Sequence, residues 1–417
     1  MQLVAYGAQD IYLTGNPQIT FFKVVYRRHT NFAMESIEQT INGTVDFGNK
    51  VSSTLSRKGD LVHKAYVELD ITKGAGDICA NFGSACLKIV DIEIGGQLID
   101  KHYGHWLETW AELTEDISGL NRGFPHPPNY SNNDGTRNLG SKFQIMSGMG
   151  GIFGSFANNG KVHLDKMYVP LRFWFNNNAG LALPLVALQY HEVKINITFE
   201  NESNLFISEY EDTKLNNAKL WVDYIYLDTD ERRRFAQNSH EYLIEQLQFD
   251  TFGSSHTMNL NFNHPVKELI WIGKPIVGTK VSVTDDNGTI FPPTFRNNSL
   301  STPTEVSNSG DWRLVLNGSD RMAERERNYF TRTQVWQHHS GYGGISVQEE
   351  SGHIDSIAVY SFALNPEEHQ PSGTCNFSRI DNAQLICKNN NKSHYVYAVN
   401  YNVLRVMSGM GGLAYSN

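Results

Sequence analysis

Alternating apolar and polar positions are the clearest local pattern in this chain. Between Val193 and Phe199 every second residue is apolar, and Lys194, Asn196 and Thr198 separate them. A period of two places the apolar side chains on one face of a β-strand, whereas a helix would distribute them around its circumference. The pattern therefore predicts a sheet with one buried face.

A second alternating run precedes this strand and predicts another strand in the same region. Leu171, Phe173 and Phe175 fall on one side of the pattern, with Arg172 and Trp174 on the other. An Asn- and Gly-rich turn and a Leu-rich connection separate the two runs. We therefore expect two strands of a sheet that packs against another layer.

Strand-like runs continue along the whole chain, and helical patterns are rare. Predicted strands cover residues 32–41, 50–56, 64–71, 87–94, 97–100, 219–227, 241–249, 257–262, 266–272, 314–316, 354–362, 378–386 and 395–406. Helical spacing predicts a short helix at 102–113 and a charged one at 321–332. Residues 121–160 form the longest irregular stretch, which we expect to be an exposed binding or packing surface.

Length and charge divide the chain into two domains. A chain of 417 residues exceeds one hydrophobic core, so two domains of roughly 200 residues are expected. The charged segment DTDERRRFAQN is the best boundary between them. We predict an N-terminal arm, a first domain, a linker and a second domain, at residues 1–30, 31–228, 229–239 and 240–417 respectively.

Short sequence echoes indicate that the two domains are duplicates. The tripeptide Ile-Glu-Gln occurs at 37–39 and again at 244–246, near the start of each half. An aromatic run followed by proline occurs at 173–184 and again at 360–371. The shared order of these echoes predicts a duplicated β-domain.

The hexapeptide MSGMGG also occurs twice, at 146–151 and 407–412. These positions do not correspond between the two halves. Duplication therefore leaves this identity unexplained.

The number of strands and the lengths of the loops indicate the architecture of each half. About eight short strands are joined by loops of very unequal length, and hairpin-only meanders would need more even spacing. Two four-stranded antiparallel sheets wrapped as a jelly roll fit this count and hide most strand edges. The predicted fold is all-β, with two tandem eight-stranded jelly rolls and short helices in the loops.

Composition narrows the class of function. With 40% hydrophobic and only 19% charged residues, the chain can bury large cores and is not disordered. Its formal net charge of −9 argues against direct binding to a genome, because phosphate contacts require an excess of Lys and Arg. We therefore expect no nucleic-acid partner.

Cysteine usage and the N-terminal sequence point to a reducing compartment. Cys79, Cys86, Cys375 and Cys387 show no C-x-x-C spacing, so free thiols are favoured over disulfides. The N-terminal residues lack a basic start followed by an apolar core, and Gln2 stands where myristoylation needs glycine. No apolar run approaches the roughly 20 residues that span a bilayer. Synthesis in a cytosol is expected.

Several closely spaced titratable residues are candidates for chemistry, but each lacks a third group of the right type. They are His191–Glu192, His102 with His105, His338–His339, Glu349–Glu350 and Glu367–Glu368. No H-E-x-x-H, G-x-S-x-G or phosphate-loop motif is present. We expect structural roles for the histidines and solvated loop charges for the glutamate pairs, with no catalytic, cofactor or metal site.

The longest and most unusual phrases of the chain resemble one protein family throughout both halves. They include QLVAYGAQDIYLTGNPQITFFKVVYRRHTNFAMESIEQTINGTVDFGNKV, PLRFWFNNNAGLALPLVALQYHEVKINITF, WVDYIYLDTDERRRFAQNSHEYLIEQLQF, LNFNHPVKELIW, QPSGTCNFSRIDNAQL and NYNVLRVMSGMGGLAYSN. These phrases are similar to major capsid proteins of nucleocytoplasmic large DNA viruses, particularly those of algal viruses. The departures lie at 119–160 and 273–344, where such proteins vary.

The resemblance implies a structural role in a virion. It implies a homotrimer that forms a pseudo-hexameric capsomer, which tiles the icosahedral shell of a large double-stranded DNA virus assembled in the host cytoplasm. Neighbouring capsomers, minor capsid and penton proteins, and an internal membrane beneath the shell are the implied partners. Outer loops are implied to contact the host surface.

The resemblance also suggests roles for particular residues. It places residues 1–30 at the base of the capsomer, so Arg27 and Arg28 are candidates for contacts with partners beneath it. Among the Asn-x-Ser/Thr triplets, it makes Asn287 and Asn297 candidate glycosylation sites, although cytosolic synthesis would leave such triplets bare.

Two other functions use the same scaffold. A double jelly-roll lectin would need acidic, Asn and aromatic residues gathered in one cleft, and here such residues are dispersed along the sequence. A glycoside hydrolase would need two placed carboxylates, which the sequence does not single out.

Overall fold

The computed structural model describes most of the chain. The described residues are 7–72, 81–115, 141–150, 166–205, 214–253, 255–273, 283–284, 290–291, 311–341, 343, 345–348, 352–355, 357–388 and 394–415.

The first half of the chain folds into two antiparallel sheets. Its strands are β1 (Phe32–Gln39), β2 (Ile41–Asn42), β3 (Lys50–Thr54), β4 (Leu61–Thr72), β5 (Leu87–Ile94), β6 (Gln97–Tyr103), β7 (Lys166–Pro170), β8 (Val193–Phe199) and β9 (Lys214–Leu227). One sheet has the order β1-β9-β4-β7 and the other β2-β3-β8-β5-β6. The strand that the alternating pattern predicts at Val193–Phe199 is confirmed at both ends.

The second half also contains two main sheets. Its strands are β10 (His240–Phe252), β11 (Thr257–Asn259), β12 (Pro265–Gly273), β13 (Val283–Thr284), β14 (Ile290–Phe291), β15 (Asp311–Leu316), β16 (Ser319–Asp320), β17 (Arg325–Glu326), β18 (Ile345–Gln348), β19 (Gly352–Asp355), β20 (Ala358–Ser361), β21 (Cys375–Asn376), β22 (Ala383–Cys387), β23 (His394–Met407) and β24 (Met410–Leu413). One sheet has the order β10-β23-β12-β20, joined by β21 and β24, and the other has the order β11-β22-β15-β16, joined by β17. The pairs β13–β14 and β18–β19 form separate hairpins.

The sheets of the two halves share one strand order. In each half the first strand pairs with the last long strand, so β1-β9-β4-β7 corresponds to β10-β23-β12-β20. The other sheets correspond as β3-β8-β5-β6 and β11-β22-β15-β16. The Ile-Glu-Gln echo lies in β1 and β10, which occupy the same place in this order. The duplicated, all-β double jelly roll that the sequence predicts is therefore confirmed.

Each sandwich has its own apolar core, but the first core extends into the second half. Its members include Val67, Leu69 and Ile195 from the first half and also Ile244 and Leu404 from β10 and β23. Burial of apolar area at about 25 cal/mol per Å² is the main stabilising term in such a core. The two jelly rolls are therefore joined by buried side chains as well as by the chain itself.

Helices occupy the connections between strands. They are α1 (Ile11–Thr14), α2 (Phe82–Cys86), α3 (Gly104–Thr114), α4 (Lys142–Ser147), α5 (Trp174–Asn177), α6 (Glu202–Leu205), α7 (Thr229–Gln237) and α8 (Gln334–His338), with a π-helix at Tyr329–Thr333 and 3₁₀ turns at Ala179–Leu181 and Phe377–Arg379. The predicted helix at 102–113 is confirmed as α3. The charged segment forms α7, and the Asp228 side chain caps it by accepting the Glu231 N–H at 2.9 Å.

The predicted strand at 171–175 is wrong. Strand β7 ends at Pro170, and α5 begins at Trp174. Phe173, Trp174 and Phe175 are all buried, so the run has no exposed side. The Asn176 side chain fixes this turn because it accepts the Phe173 N–H at 3.1 Å and donates to the His63 carbonyl at 2.6 Å. A short apolar run buried on every side carries no reliable period.

Two further secondary-structure predictions are wrong, and in each case a side-chain contact accompanies the observed structure. Residues 321–332, predicted as a helix, contain strand β17 and, after it, the start of the π-helix at Tyr329. The Arg325 guanidinium of β17 lies 4.1 Å from the Tyr329 ring centroid. The predicted strand at 378–386 begins only at Ala383. The Asn376 side chain accepts the Ser378 N–H at 3.1 Å and so stabilises a 3₁₀ turn before it.

The two copies of MSGMGG adopt different structures. In the first copy Met146 and Ser147 end α4, and Gly148 caps that helix with φ of 62°. In the second copy Ser408 and Gly409, with φ of 54° and 80°, form the tight turn between β23 and β24. The two copies share residues that tolerate positive φ rather than one structural role.

Candidate functional site

Helix α3 of the first half packs against the outer face of the second half's sheet β10-β23-β12-β20. Trp106 and Leu113 from α3 form one buried cluster with Ile270, Ile272 and Tyr397. The Trp106 and Trp110 rings stack with centroids 5.4 Å apart. Here "the seam" means this contact, in which α3 and β6 of the first half lie against the second half.

His105 occupies an aromatic box at the seam. Its ring centroid lies 4.6 Å from that of Tyr395, 5.0 Å from those of Tyr103 and Phe249, and 5.6 Å from that of Tyr397. His105 Nδ1 is hydrogen-bonded to the Tyr397 hydroxyl. Burial lowers the pKa of His105 to about 3, so the imidazole is neutral and serves as a packing and hydrogen-bonding group.

His339 lies close to the seam and bridges two carboxylates. Its Nδ1 and Nε2 each lie 3.0 Å from an oxygen, of Glu367 and Glu268 respectively. Burial alone lowers the pKa of His339, but the two carboxylates outweigh burial and raise it to about 9. At neutral pH an imidazolium therefore neutralises Glu268, which is fully buried.

The loop that carries His339 is hydrogen-bonded to the end of α3. The N–H groups of Gly341 and Gly343 donate to the carbonyls of Leu113 and Glu112 at 2.7 and 2.9 Å. The Ser340 hydroxyl donates to the Thr114 carbonyl at 3.1 Å. A Cβ on Gly341 would lie 2.5 Å from the Leu113 carbonyl carbon, so this close approach requires glycine.

The edge of β10 is covered by β6 of the first half. The Leu247 N–H donates to the Asp100 carboxylate at 3.1 Å, and the Gln246 amide donates to the Ile99 carbonyl. The Asn402 amide then donates to Gln246 at 2.9 Å. One outward backbone N–H of this edge strand, that of Leu247, is thereby satisfied within the chain.

A further buried charge supports the same sheet. The Lys267 ammonium is fully buried and lies 2.8 Å from the Glu245 carboxylate, with the His369 ring 3.7 Å from that carboxylate. Burial raises the pKa of Glu245, but Lys267 and His369 outweigh it and hold this pKa below its usual value. Charged side chains inside β10 and β12 are therefore paired across strands.

In contrast to the seam, the N-terminal arm (residues 7–30) makes little contact with the body of the protein. It carries a row of large apolar side chains that are mostly exposed: Ile11, Tyr12, Leu13, Ile19, Phe21, Phe22, Val24, Val25 and Tyr26. Phe22, for example, is 97% exposed. Lys23, Arg27 and Arg28 make the arm basic, with Asp10 as its single carboxylate. A solvated chain rarely exposes such a segment unless it binds a partner.

Most sequence-predicted candidates take structural roles at separate places. His191 Nδ1 lies 3.1 Å from the Gly411 amide nitrogen and accepts its N–H, which ties this corner to β24. His102 lies 3.0 Å from Asp100, away from the aromatic box of His105. His338 interacts with the Leu364 carbonyl.

The expectation that Glu367 is a solvated loop charge is wrong, because it is half-buried against His339. Glu349 and Glu350 lie outside the described residues, as do Asn287 and Asn297. Arg27 and Arg28 are exposed in the arm, so their predicted contacts stay a prediction. Cys86 and Cys387 are buried and Cys375 is partly buried, while Cys79 lies outside the described residues.

Sequence reasoning missed the buried charges and the most exposed tryptophan. Lys267 and Glu268 interrupt the apolar strand PVKELIWIG. This interruption was the available signal that buried charges lie in the strand, each with a partner elsewhere: Glu245 for Lys267 and His339 for Glu268. Trp336 on α8 is 81% exposed, and no sequence pattern distinguishes it from a core tryptophan.

Neither a metal site nor a membrane span emerges from the part of the chain that the structure describes. Across those residues, no three His, Cys, Asp or Glu side chains are grouped so that they could hold a metal ion. No helix among the same residues is long and apolar enough to cross a bilayer.

Two family models match most of the chain. The model described as "Major capsid protein N-terminus" matches residues 20–228, and the model described as "Large eukaryotic DNA virus major capsid protein" matches residues 231–412. The major capsid protein of Pyramimonas orientalis virus is 47% identical, over all of this chain and 99% of its own length. The major capsid protein of Paramecium bursaria Chlorella virus 1 is 42% identical, with the same coverage.

Solved structures agree with these sequence matches. The crystal structure of PBCV-1 VP54, fitted into a reconstruction of the virophage Sputnik, superimposes with a TM-score of 0.74 at 37% identity. It covers 95% of this chain and all of its own. The Faustovirus major capsid protein has a TM-score of 0.63 at 12% identity and supports the fold alone.

Proposed function

This chain belongs to the family of major capsid proteins of large eukaryotic DNA viruses, and from that premise we propose how it assembles. It is a structural component of the virion capsid with a double jelly-roll fold. We propose that three copies form a homotrimer with six similar jelly rolls, which tiles the shell as a pseudo-hexameric capsomer.

The seam is the observation that carries this proposal. Two sandwiches with one strand order are held at a fixed relative position by α3, by the loop around His339 and by the covered edge of β10. A rigid pair of similar units is what a closed ring of three chains needs in order to present six similar corners. A flexible pair would not define the angle between neighbouring corners.

The remaining expectations form part of the same proposal. We place the arm beneath the capsomer, where its apolar and basic side chains would contact minor capsid or penton proteins or the internal membrane. The division at 1–30, 31–228, 229–239 and 240–417, assembly in the host cytoplasm, host contact through outer loops and glycans at Asn287 and Asn297 are carried forward as predictions. A structural rather than catalytic role fits relatives that are named as capsid proteins.

Light scattering coupled to size exclusion tests the homotrimer on the purified full chain. We expect a particle of three times the chain mass of 47.1 kDa, and electron microscopy should show blocks with six-sided outlines. A monomer at micromolar concentration would contradict the proposal.

Deletion of residues 1–30 tests the role of the arm separately. Because the arm makes little contact with the body, the truncated protein should still form the trimer but should assemble poorly into particles. Normal particle yield from the truncated protein would refute the base-facing assignment.

A further inference from the structure

The seam shows, within one chain, how the outer face of one jelly-roll sheet is covered by its neighbour. Helix α3 lies in the connection between β6 and β7 of the first half, and it places Trp106 on the outer face of β10-β23-β12-β20. That face is apolar at Ile270 and Ile272. The covering element and the covered sheet belong to different jelly rolls.

The second half has a helix in the corresponding connection, and its tryptophan points to solvent. The π-helix and α8 lie between β16 and β20, the strands that correspond to β6 and β7. Phe330 and Val335 anchor this segment in buried clusters, while Trp336 is 81% exposed. Leu364, 74% exposed, belongs to the same surface because its carbonyl interacts with His338.

The first half has a matching sheet face, which the described part of the chain covers only in part. On β1-β9-β4-β7, Val67 and Leu220 face the core, so the alternate residues Tyr66 and Trp221 face outward and are half-buried. Phe235 of α7 covers only one end of this face.

The centre of that face is a set of aromatic rings with paired charges between them. The Tyr66 and Tyr168 centroids are 6.0 Å apart, and Trp221 Nε1 donates to the Glu68 carboxylate at 2.6 Å. Lys219 lies 5.9 Å from the Trp221 ring centroid. Such a surface of rings with charged neighbours is typical of contacts between separately folded chains, which are more polar than a covered core.

Charge does not oppose contact between these two surfaces. The helical segment 329–338 that carries Trp336 contains Arg332 and no carboxylate. The outward positions of β1, β4 and β9 carry acidic side chains, namely Glu38, Glu68, Asp70 and Asp223, against the three lysines Lys64, Lys166 and Lys219 of β4, β7 and β9. Arg332 of the helical segment therefore meets a face with one more carboxylate than lysines, and there is no large like-charge penalty.

We propose that Trp336 is the anchor of the contact between copies: it packs on the outer face of β1-β9-β4-β7 of the next chain. The external contact thus repeats the geometry of the seam, with the second jelly roll of one copy covering the first jelly roll of another. This inference rests on the proposed homotrimer and specifies which surfaces close it. Because the two contacting surfaces differ, the contact is heterologous and can close a ring.

Photo-crosslinking on the full chain tests the contact directly. With p-benzoylphenylalanine in place of Trp336, illumination should give a covalent dimer on a denaturing gel. Mass spectrometry should find the link in peptides from 32–39, 61–72, 166–170 or 214–227. The same photoreactive residue in place of Tyr190, which is 76% exposed, should give no link to those peptides.

Substitution gives an independent measurement. Trp336→Glu should raise the concentration at which the trimer dissociates by at least tenfold, and Tyr168→Glu on the receiving face should do the same. Trp336→Phe should retain the trimer. The matched control is Tyr12→Glu, which changes an equally exposed aromatic residue in the arm and should leave the trimer intact. Thermal unfolding of the Trp336→Glu monomer should match that of the dilute wild type, because this side chain makes few contacts within the chain.

The outcomes separate this inference from the homotrimer itself. If the wild type and Trp336→Glu are equally stable trimers, or if residue 336 cross-links elsewhere, the assigned contact is wrong and the homotrimer stands. If the wild type is a monomer, both are overturned.

Discussion

Two equivalent sheets in this protein differ in what lies against their outer faces. The outer face of β10-β23-β12-β20 is apolar where α3 of the same chain covers it, whereas the outer face of β1-β9-β4-β7 is aromatic and charged and is half-buried. The edges differ in the same way, since β6 covers β10 while β1 is exposed along most of its length. One fold therefore carries two kinds of outer surface, one covered by an element of the same chain and one covered only in part.

The largest expected effect comes from removing the tryptophan that covers the second sheet. Trp106→Ala should lower the free energy of unfolding by about 3–5 kcal/mol, since it leaves a cavity in the seam. Denaturant unfolding should also change from one transition to two as the jelly rolls separate. The control Tyr12→Ala should leave the free energy of unfolding and the single transition unchanged. A single, unaltered transition for Trp106→Ala would contradict the view that the covered face holds the two jelly rolls together.

Removal of the charge beside the seam should have the next largest effect. His339→Gln leaves the Glu268 carboxylate buried without its imidazolium, and we expect a loss of about 3 kcal/mol in unfolding free energy. The neighbouring variant His338→Gln removes only a contact with one carbonyl and should cost less than about 1 kcal/mol. Equal effects of the two variants would show that the buried pair does not stabilise the seam.

The same histidine should make stability depend on alkaline pH. Its folded pKa of about 9 exceeds the unfolded value of 6.5, so its contribution is complete below pH 6.5 and is lost as pH rises to 9. Within this window, stability should fall by up to about 1.4 kcal/mol per pH unit. The difference between wild type and His339→Gln, measured from pH 6 to 10, isolates this slope. A difference that is constant with pH would contradict it.

His105 should give a slope of opposite sign in acid. Its folded pKa of about 3 lies below the unfolded value of 6.5, so its contribution is complete above pH 6.5 and is lost as pH falls towards 3. The slope should again be at most about 1.4 kcal/mol per pH unit. His105→Phe should reduce the acid slope even if its absolute stability changes, and an unchanged slope would place the acid sensitivity elsewhere.

The smallest effect is expected on the uncovered face. Met34→Ser changes a half-exposed residue of β1 and should alter the unfolding free energy of the monomer by less than about 0.5 kcal/mol. A loss comparable to that of Trp106→Ala would mean that β1 is covered within the chain. Unfolding should be measured at protein concentrations low enough that the trimer has dissociated, so that single chains are compared.

The sequence alone determined the elements whose local pattern and final environment agree. Val193–Phe199 alternates because one face meets the core, and Leu87–Ile94 ends where Gly95 and Gly96 can adopt the positive φ of a hairpin turn. The duplication was also readable, since the Ile-Glu-Gln echo marks equivalent strands. Periodicity and turn chemistry act over a few residues, so a single chain displays them without any tertiary information.

Only the tertiary structure decided the surroundings of each residue. The first copy of the hexapeptide ends a helix at Ser147, and the Gly150 N–H reaches Glu108. The second copy turns a hairpin at 407–412, where the Tyr190 N–H donates to the Gly409 carbonyl. Likewise Trp106 is buried and Trp336 exposed, although both lie on helices in equivalent connections. These differences arise from contacts between residues that are far apart in the chain, and no local pattern of residues encodes them.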